Sequence, residues 1–190
     1  DAEGIYIAYG PQVRRRELDG SGETVVSNNS SDITEIITTD QWLIASNMWR
    51  LSSSDKLTGE ALDLSSTTLS SSVQGLSVSQ GQQRIFARTY GQSPSDIVYQ
   101  SYDVRGFFNE WQMDSPYHGD FPHASRTWVS PDDSRVVDDA GIVYNTSDLT
   151  YAASLGGPVD DFAFLGDTPV LLRGTTLTTL SNTFLDTGHY

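Results

Sequence analysis

The sequence of 190 residues predicts an all-β protein built from repeated units. Its hydrophobic residues occur in short alternating runs of about four to eight residues, without the sustained apolar stripe of a helix. Val, Ile, Thr, Tyr, Phe and Trp are frequent in these runs, while Gly, Pro, Asn, Asp and Ser separate them, as in strands joined by turns. We therefore expect less than about 10% helix.

The runs recur in a fixed order of strand, tight turn, strand, turn, strand and a looser fourth segment. One unit reads Arg126–Val129, a break at Pro131-Asp132-Asp133, Arg135–Val137, and Gly141–Tyr144 continuing to Asp148. Equivalent positions in four units are 40, 52 and 34 residues apart and are occupied by Ile36, Leu76, Trp128 and Phe162. Four strands in roughly 40–45 residues are the size of one repeat in several all-β architectures.

The repeat predicts four complete units with first strands near Ile33, Val73, Ser125 and Val159. The complete units are placed at residues 31–70, 71–115, 123–156 and 157–190. Residues 1–30 form a partial unit of three strands that lacks a first strand. The whole chain, 1–190, is interpreted as a single domain of nineteen strands or as a fragment of one.

These units resemble the blades of the β-propeller superfamily, in the style of WD-repeat and YVTN-type bacterial propellers. The resemblance implies a propeller or partial propeller of four full blades and an N-terminal partial blade. It concerns architecture alone, because the Gly-His…Trp-Asp signature and the double glycine repeated from blade to blade in Kelch proteins are absent, and Ser130-Pro-Asp-Asp-Ser134 only begins like a sialidase-type box. The alternative fold is a β-sandwich, which also has short, regularly spaced strands but does not require a 40-residue register of turns.

The composition excludes several classes of partner. The chain has 25 acidic and 11 basic residues, a net charge of -14, which argues against binding to nucleic acid and to anionic membrane surfaces. No apolar run approaches the roughly 18–20 residues of a membrane-spanning helix. Cysteine is absent and Lys56 is the only lysine.

Abundant Asp, Ser and Thr suit an extracellular, cell-surface or periplasmic protein, although a GC-rich genome explains the preference for Arg over Lys equally well. Because the chain begins at Asp1 and shows no signal peptide, we interpret it as processed or as a piece of a longer protein.

The longest interruption of the repeat lies between Asp103 and Trp128 and is rich in aromatic residues and histidine. Long loops on a regular scaffold are where binding usually occurs. We therefore predict that Trp111, Tyr117, His118 and His123 belong to a binding site. The alternative is that the aromatic side chains of this segment pack within and between the sheets.

No metal site is predicted. His118 and His123, with Asp120 between them, match no common zinc spacing. Paired acids at Asp132-Asp133, Asp138-Asp139 and Asp160-Asp161 leave Ca²⁺ open as a cofactor, but Asp also caps turns through its own backbone.

Polar residues precede the equivalent apolar positions by two residues in every unit: Thr34, Gln74, Arg126 and Asp160. Alternate residues of a strand share one face, so the repeat predicts a polar ring near the propeller axis that includes Arg126 and Asp160. Such a ring is either a functional site or the mouth of a water-filled channel.

Two functions remain open at this point. The first is a non-enzymatic secreted or cell-surface module that binds a protein or a glycan, or that serves structural assembly. The alternative is a glycan-acting hydrolase or lyase with carboxylates near the central channel. No catalytic residue is predicted, because no nucleophile motif is present.

The partial first unit also predicts that the ring is incomplete or closes in an unusual way. An open sheet edge favours pairing with another strand. We expect residues 184–190, a second copy, or a missing part of the ring to complete the first unit.

Overall fold

A computed structural model describes residues 4–47 and 49–190, without the side chains of 61–68, 110 and 111. Over these residues the chain forms nineteen strands and no helix. Consequently, none of the described residues belongs to a helix long and apolar enough to cross a membrane.

The strands form one three-stranded sheet followed by four four-stranded sheets. Sheet 1 contains β1 (Ile5–Tyr9), β2 (Gln12–Arg16) and β3 (Glu23–Asn28). Sheet 2 contains β4 (Glu35–Thr38), β5 (Trp42–Ser46), β6 (Arg50–Asp55) and β7 (Ala61–Thr68). Sheet 3 contains β8 (Val73–Ser79), β9 (Arg84–Thr89), β10 (Ile97–Tyr102) and β11 (Phe108–Asp114). Sheet 4 contains β12 (Thr127–Val129), β13 (Arg135–Asp138), β14 (Ile142–Asn145) and β15 (Tyr151–Ser154). Sheet 5 contains β16 (Asp161–Leu165), β17 (Thr168–Arg173), β18 (Thr176–Leu180) and β19 (Asp186–His189).

The strands of every sheet lie side by side in chain order. The predicted fold class, an all-β chain of four four-stranded sheets preceded by a partial one, is confirmed. Three of the four predicted equivalent positions also agree with one another in strand register, whereas Leu76 is the fourth residue of β8. Ile36, Trp128 and Phe162 are each the second residue of their strand. They lie opposite Ala45, Val137 and Leu171, respectively, on the neighbouring strand.

Residues 184–190 do not complete the first sheet. Strand β19 instead pairs with β18 as the fourth strand of sheet 5, with Thr178 opposite His189 and Thr179 opposite Gly188. That part of the expectation for ring closure was wrong, because the hairpin after Leu180 is short enough for the chain to return directly onto its neighbouring strand.

The chain divides into two compact units. Unit 1 comprises Asp1–Val73 and Gln100–Gln112. Its apolar core contains Val13, Val26, Leu43 and Ala45. On its surface each arginine of the run Arg14-Arg15-Arg16 forms a local ion pair: Glu23 pairs with Arg14 and Arg16 at 2.7 and 2.6 Å, and Glu17 pairs with Arg15 at 2.9 Å.

Unit 2 comprises Gln74–Tyr99 and Met113–Tyr190. It has two apolar clusters, one around Phe86, Val136 and Tyr144 and one around Val137, Phe162 and Leu171. Val136 and Val137 are adjacent on β13 and point to opposite faces. Sheet 4 is therefore covered by apolar side chains on both of its faces.

The loops of unit 2 lie at two edges of its sheets. In an up-and-down sheet, the turns after the first and third strands share one edge, and the turns after the second and fourth share the other. The edge formed by the turns after the first and third strands is named edge A, and it carries the loops β12–β13, β16–β17 and β18–β19. We call the second edge B; it carries the loops β9–β10 and β13–β14 and residues 115–126 and 155–160.

Candidate functional site

A cavity of about 280 Å³ opens at edge A of unit 2. Three loops and the strands beside them supply its walls. The lining residues are Ser130, Pro131, Asp132, Ser134, Arg135, Phe164, Asp167, Pro169, Asn182 and Phe184.

The polar wall of the cavity is held by the β12–β13 turn. Asp132 accepts hydrogen bonds from the hydroxyls of Ser130, at 2.6 Å, and Ser134, at 2.9 Å. These bonds lower the pKa of Asp132 below its usual value, so this carboxylate remains ionised at neutral pH. Arg135 donates to the carbonyl oxygen of Ser134 at 2.8 Å, which fixes part of the guanidinium beside the cavity.

The apolar wall comes from sheet 5. Phe164 contacts Phe162 edge to face, with ring centroids 5.2 Å apart. Phe164 and Phe184 both pack against the apolar cluster around Phe162. Because this cluster holds the two rings, the cavity presents a preformed apolar surface next to charged groups.

Arg126 and Asp160 lie at edge B, opposite the cavity. The Arg126 guanidinium donates to the Asp160 carbonyl oxygen and lies 3.6 Å from the Asp161 carboxylate and 5.2 Å from the Trp128 ring centroid. The Asp160 carboxylate accepts a hydrogen bond from the Gly174 amide at 2.6 Å. The structure thus brings these two predicted residues together at the start of neighbouring first strands.

We expect Arg126→Ala to lower the free energy of unfolding by about 1 kcal/mol or less, because exposed ion pairs and cation–π contacts contribute little. The Arg126 side chain is 46% exposed. Urea denaturation followed by tryptophan fluorescence measures the change. Arg105→Ala, which removes the exposed pair with Asp103, is the matched control; an Arg126→Ala chain that fails to fold would contradict the expectation.

Tyr117 has a structural role in its segment. Its ring contacts Phe121 at 5.2 Å, and Phe121 in turn contacts Tyr144 and Tyr151. The Tyr151 amide donates to the Tyr117 hydroxyl at 3.2 Å. The segment after β11 is therefore anchored by aromatic packing onto sheet 4.

His118 and His123 have different surroundings. His118 Nδ1 lies 3.1 Å from the Asp96 carboxylate and 3.9 Å from that of Asp114. His123 is exposed and forms no hydrogen bond or ion pair with any residue that the structure describes. The predicted Trp111 lies in β11, but its side chain is outside the described residues.

Asp96 and Asp114 were not identified from the sequence. A signal for them was available, because Ile97–Tyr102 and Phe108–Asp114 are successive strands and the start of one antiparallel strand lies beside the end of the next. The Ser115 amide indeed donates to the Ile97 carbonyl at 3.1 Å. This register places Asp96 next to the residues that follow β11.

A buried ionic network connects sheets 3 and 4 within unit 2. Arg88 and Asp138, whose side chains are 1% and 0% exposed, lie 3.3 Å apart. Tyr144 donates to the same carboxylate at 3.3 Å. Burial raises the pKa of Asp138 to about 6, although the charge of Arg88 opposes the shift.

Comparisons with known proteins identify the fold and no closer relationship. No family model matches the chain, and no curated protein matches it in sequence. A chain of a solved structure described as the crystal structure of the mitotic checkpoint complex aligns with a TM-score of 0.71 at 9% identity, over 100% of this chain and 62% of its own length.

Two further structures are similar. The WD40 domain of Pan2 from Neurospora crassa aligns with a TM-score of 0.65 at 13% identity, over 100% of this chain and 62% of its own. The dihydro-heme d1 dehydrogenase NirN, in complex with DHE, aligns with a TM-score of 0.66 at 12% identity, over 98% and 44% of the two chains.

These matches confirm that the protein has β-propeller architecture, so the sandwich alternative is wrong. At 9–13% identity they show the fold alone. The chain spans about 62% of the length of the first two structures and 44% of the third.

Proposed function

We propose that this protein is a non-enzymatic β-propeller module that binds a short peptide segment of a partner protein in the cavity at edge A. The observation that carries the proposal is the juxtaposition of Phe164 and Phe184 with Arg135 in one cavity of about 280 Å³. Preformed apolar cavities with a few oriented polar groups are typical binding sites.

The cavity favours a particular kind of segment. Its volume suits one large apolar side chain rather than a whole drug-sized ligand, and two phenylalanines and two prolines line it. The charges of Asp132, Arg135 and Asp167 then lie next to the peptide backbone and flanking side chains. We accordingly expect an apolar anchor residue with polar neighbours.

The chemistry of the carboxylates favours binding over glycan hydrolysis. A glycosidase needs one carboxylic acid that is protonated near neutral pH and within reach of the substrate. Asp132, in the cavity, has a lowered pKa, so it is a poor proton donor. Asp138 has a raised pKa of about 6, but its side chain is completely buried.

The proposal includes the cellular location of the protein and the pairing of its first strand. The acidic composition, rich in Asp, Ser and Thr, supports an extracellular, cell-surface or periplasmic protein that stays soluble through its net charge. We propose that the open edge of β1 pairs with a strand from a second copy or from another part of the parent protein. A glycan ligand for the cavity is retained as the alternative outcome of the experiment below.

Selection from a displayed library of random dodecapeptides tests the proposal, with a glycan array as the parallel assay. We expect selected peptides to share an apolar residue and to lose at least about tenfold in affinity, roughly 1.4 kcal/mol, to the Asp167→Arg variant. Asp167 is exposed at the cavity, so the change alters the site without disturbing the core.

Asp120→Arg is the matched control, since it introduces the same charge at an exposed position of edge B. Peptides that bind wild type and both variants equally would place binding outside the cavity and overturn the proposal. Binding of glycans but of no peptide would replace the protein partner with a carbohydrate.

A further inference from the structure

Three potential metal ligands converge at edge B of unit 2, where the β9–β10 loop meets the end of β11. The ligand atoms of Asp96, Asp114 and His118 all lie within 4.8 Å of one another. His118 Nδ1 lies 3.1 Å from the Asp96 carboxylate. The distance from the same nitrogen to the Asp114 carboxylate is 3.9 Å.

Asp96 is oriented as a metal ligand would be. One of its oxygens accepts hydrogen bonds from the Ser115 hydroxyl at 2.5 Å and from the Ile97 amide at 2.8 Å. The other oxygen is hydrogen-bonded to His118 Nδ1 at 3.1 Å. Such outer hydrogen bonds commonly fix the orientation of a ligating carboxylate.

The charge balance of the cluster also points to a cation. The Asp96 side chain is only 11% exposed, and buried carboxylates are generally paired with a cation or bound to a metal. Among the described residues, neither Asp96 nor Asp114 forms an ion pair with Arg or Lys; each is paired only with His118. Two carboxylates thus share one imidazole.

We propose that Asp96, Asp114 and His118 bind one divalent transition-metal ion of the Zn²⁺ or Mn²⁺ class. One imidazole nitrogen with two carboxylate oxygens is a ligand set that both ions accept. Ligand distances of about 2.0–2.2 Å to zinc require donor atoms roughly 3.3–3.6 Å apart in a tetrahedron. The 3.1 Å separation between His118 and Asp96 must therefore widen slightly, and the 3.9 Å separation between His118 and Asp114 must shorten. His118 and Asp114 are 64% and 60% exposed, so their side chains are free to make both adjustments.

The site differs from the arrangement considered from the sequence. Asp120 and His123 follow His118 along the chain, whereas Asp96 and Asp114 precede it and come from neighbouring strands. A metal ion at this position would link the β9–β10 loop to residues 115–126, and binding therefore stabilises the folded state. This inference is independent of the cavity at edge A.

Isothermal titration of tag-free, chelator-treated protein with ZnCl₂, and separately with MnCl₂, tests the proposal. We expect one ion per chain and an increase in melting temperature in its presence. His118→Ala and Asp114→Asn should each weaken binding at least about tenfold. His123→Ala and Asp120→Asn, at exposed positions of the same segment, serve as matched controls and should bind within about twofold of wild type.

Both substituted ligands are exposed, and circular dichroism verifies that each variant is folded. The proposal is wrong if neither ion binds at one per chain at concentrations up to about 1 mM. Equal binding by wild type and the His118→Ala/Asp114→Asn double variant would overturn it as well, because it would assign the ion to the general acidic surface.

Discussion

Replacing Arg88 with Met is expected to lower the free energy of unfolding by about 3–5 kcal/mol at pH 8, because it leaves a buried carboxylate without its cation. Arg88 donates to Asp138 at 3.3 Å and also to the carbonyl oxygens of Ser95 and Pro122 at 3.3 and 3.4 Å. The arginine therefore neutralises Asp138 and joins two loops of edge B. Its Nε has no hydrogen-bond partner among the described residues, so the site already includes one unsatisfied group.

The effect of Arg88→Met should depend on pH. The pKa of Asp138 is about 6 in the folded protein and 3.8 in its usual state, so between these values the folded chain holds a proton that the unfolded chain has lost. Linkage then requires that the contribution of this group to stability is complete below pH 3.8 and is lost as pH rises through about 6. Without the charge of Arg88 the pKa rises further, and the variant is penalised most at high pH.

Urea denaturation at pH 4.5 and pH 8, on wild type and Arg88→Met, measures this dependence. The difference between the two chains should be several-fold smaller at pH 4.5, where Asp138 is largely protonated. Taking the difference removes the contributions of other acids that titrate equally in both chains. The control is Arg88→Met/Asp138→Asn, which removes both charges and should recover at least half of the loss at pH 8. An Arg88→Met penalty that is the same at both pH values would show that lost packing, rather than charge, causes it.

The sequence predicted the strands well because their signal is local. Alternating apolar residues and turn residues identify a strand and its ends within a few positions, and the register of Trp128 and Phe162 with their neighbours follows from that pattern. The first strands of sheets 2, 4 and 5 nevertheless begin at Glu35, Thr127 and Asp161, two residues later than expected. The residues before them belong to the connecting segments.

The different roles of Asp138 and Asp139 could not be read from the sequence. The sequence leaves both open as turn-capping residues or Ca²⁺ ligands. Asp139 accepts hydrogen bonds from the amide and hydroxyl of Ser125 at 2.6 Å each. Asp138 instead points into the interior, where its partner Arg88 is 50 residues away in the chain. A pattern of neighbouring residues in the sequence cannot reveal a contact between residues so far apart in the chain.

The cavity was missed for the same reason. Pro131 and Asp132 belong to a break that the repeat predicts, but a pattern along the chain describes each turn by itself. The cavity exists because turns from sheets 4 and 5 lie at the same edge of unit 2. Four of the predicted binding residues, Trp111, Tyr117, His118 and His123, instead come from the longest interruption of the repeat, where the Tyr117 ring packs against the apolar cluster around Tyr144.

Replacing Gly141 with Ala is expected to lower the free energy of unfolding by about 2–5 kcal/mol, the sum of backbone strain and overpacking. Gly141 has a φ of +82°, which an L-residue adopts only at a cost of about 1–2 kcal/mol. A Cβ atom there would also overlap the carbonyl oxygen of Gly157 and lie 3.0 Å from its carbonyl carbon. The overlap is with backbone, so no side-chain rotation relieves it.

Gly156→Ala separates the two contributions, since Gly156 has a similar φ of +76° and no atom within 4 Å of the position of its Cβ. We expect this control to lose only the strain term, about 1–2 kcal/mol. Gly141→Ala should lose about 1–3 kcal/mol more, because the Gly141 carbonyl accepts the Leu155 amide at 2.8 Å and Leu155 belongs to the apolar cluster around Phe162. Moving the Gly157 backbone away therefore disturbs both that hydrogen bond and the cluster. Chemical denaturation of the two variants under identical conditions decides the matter: equal losses would mean that the 155–160 connection yields freely and that Gly141 is needed for its backbone angle alone.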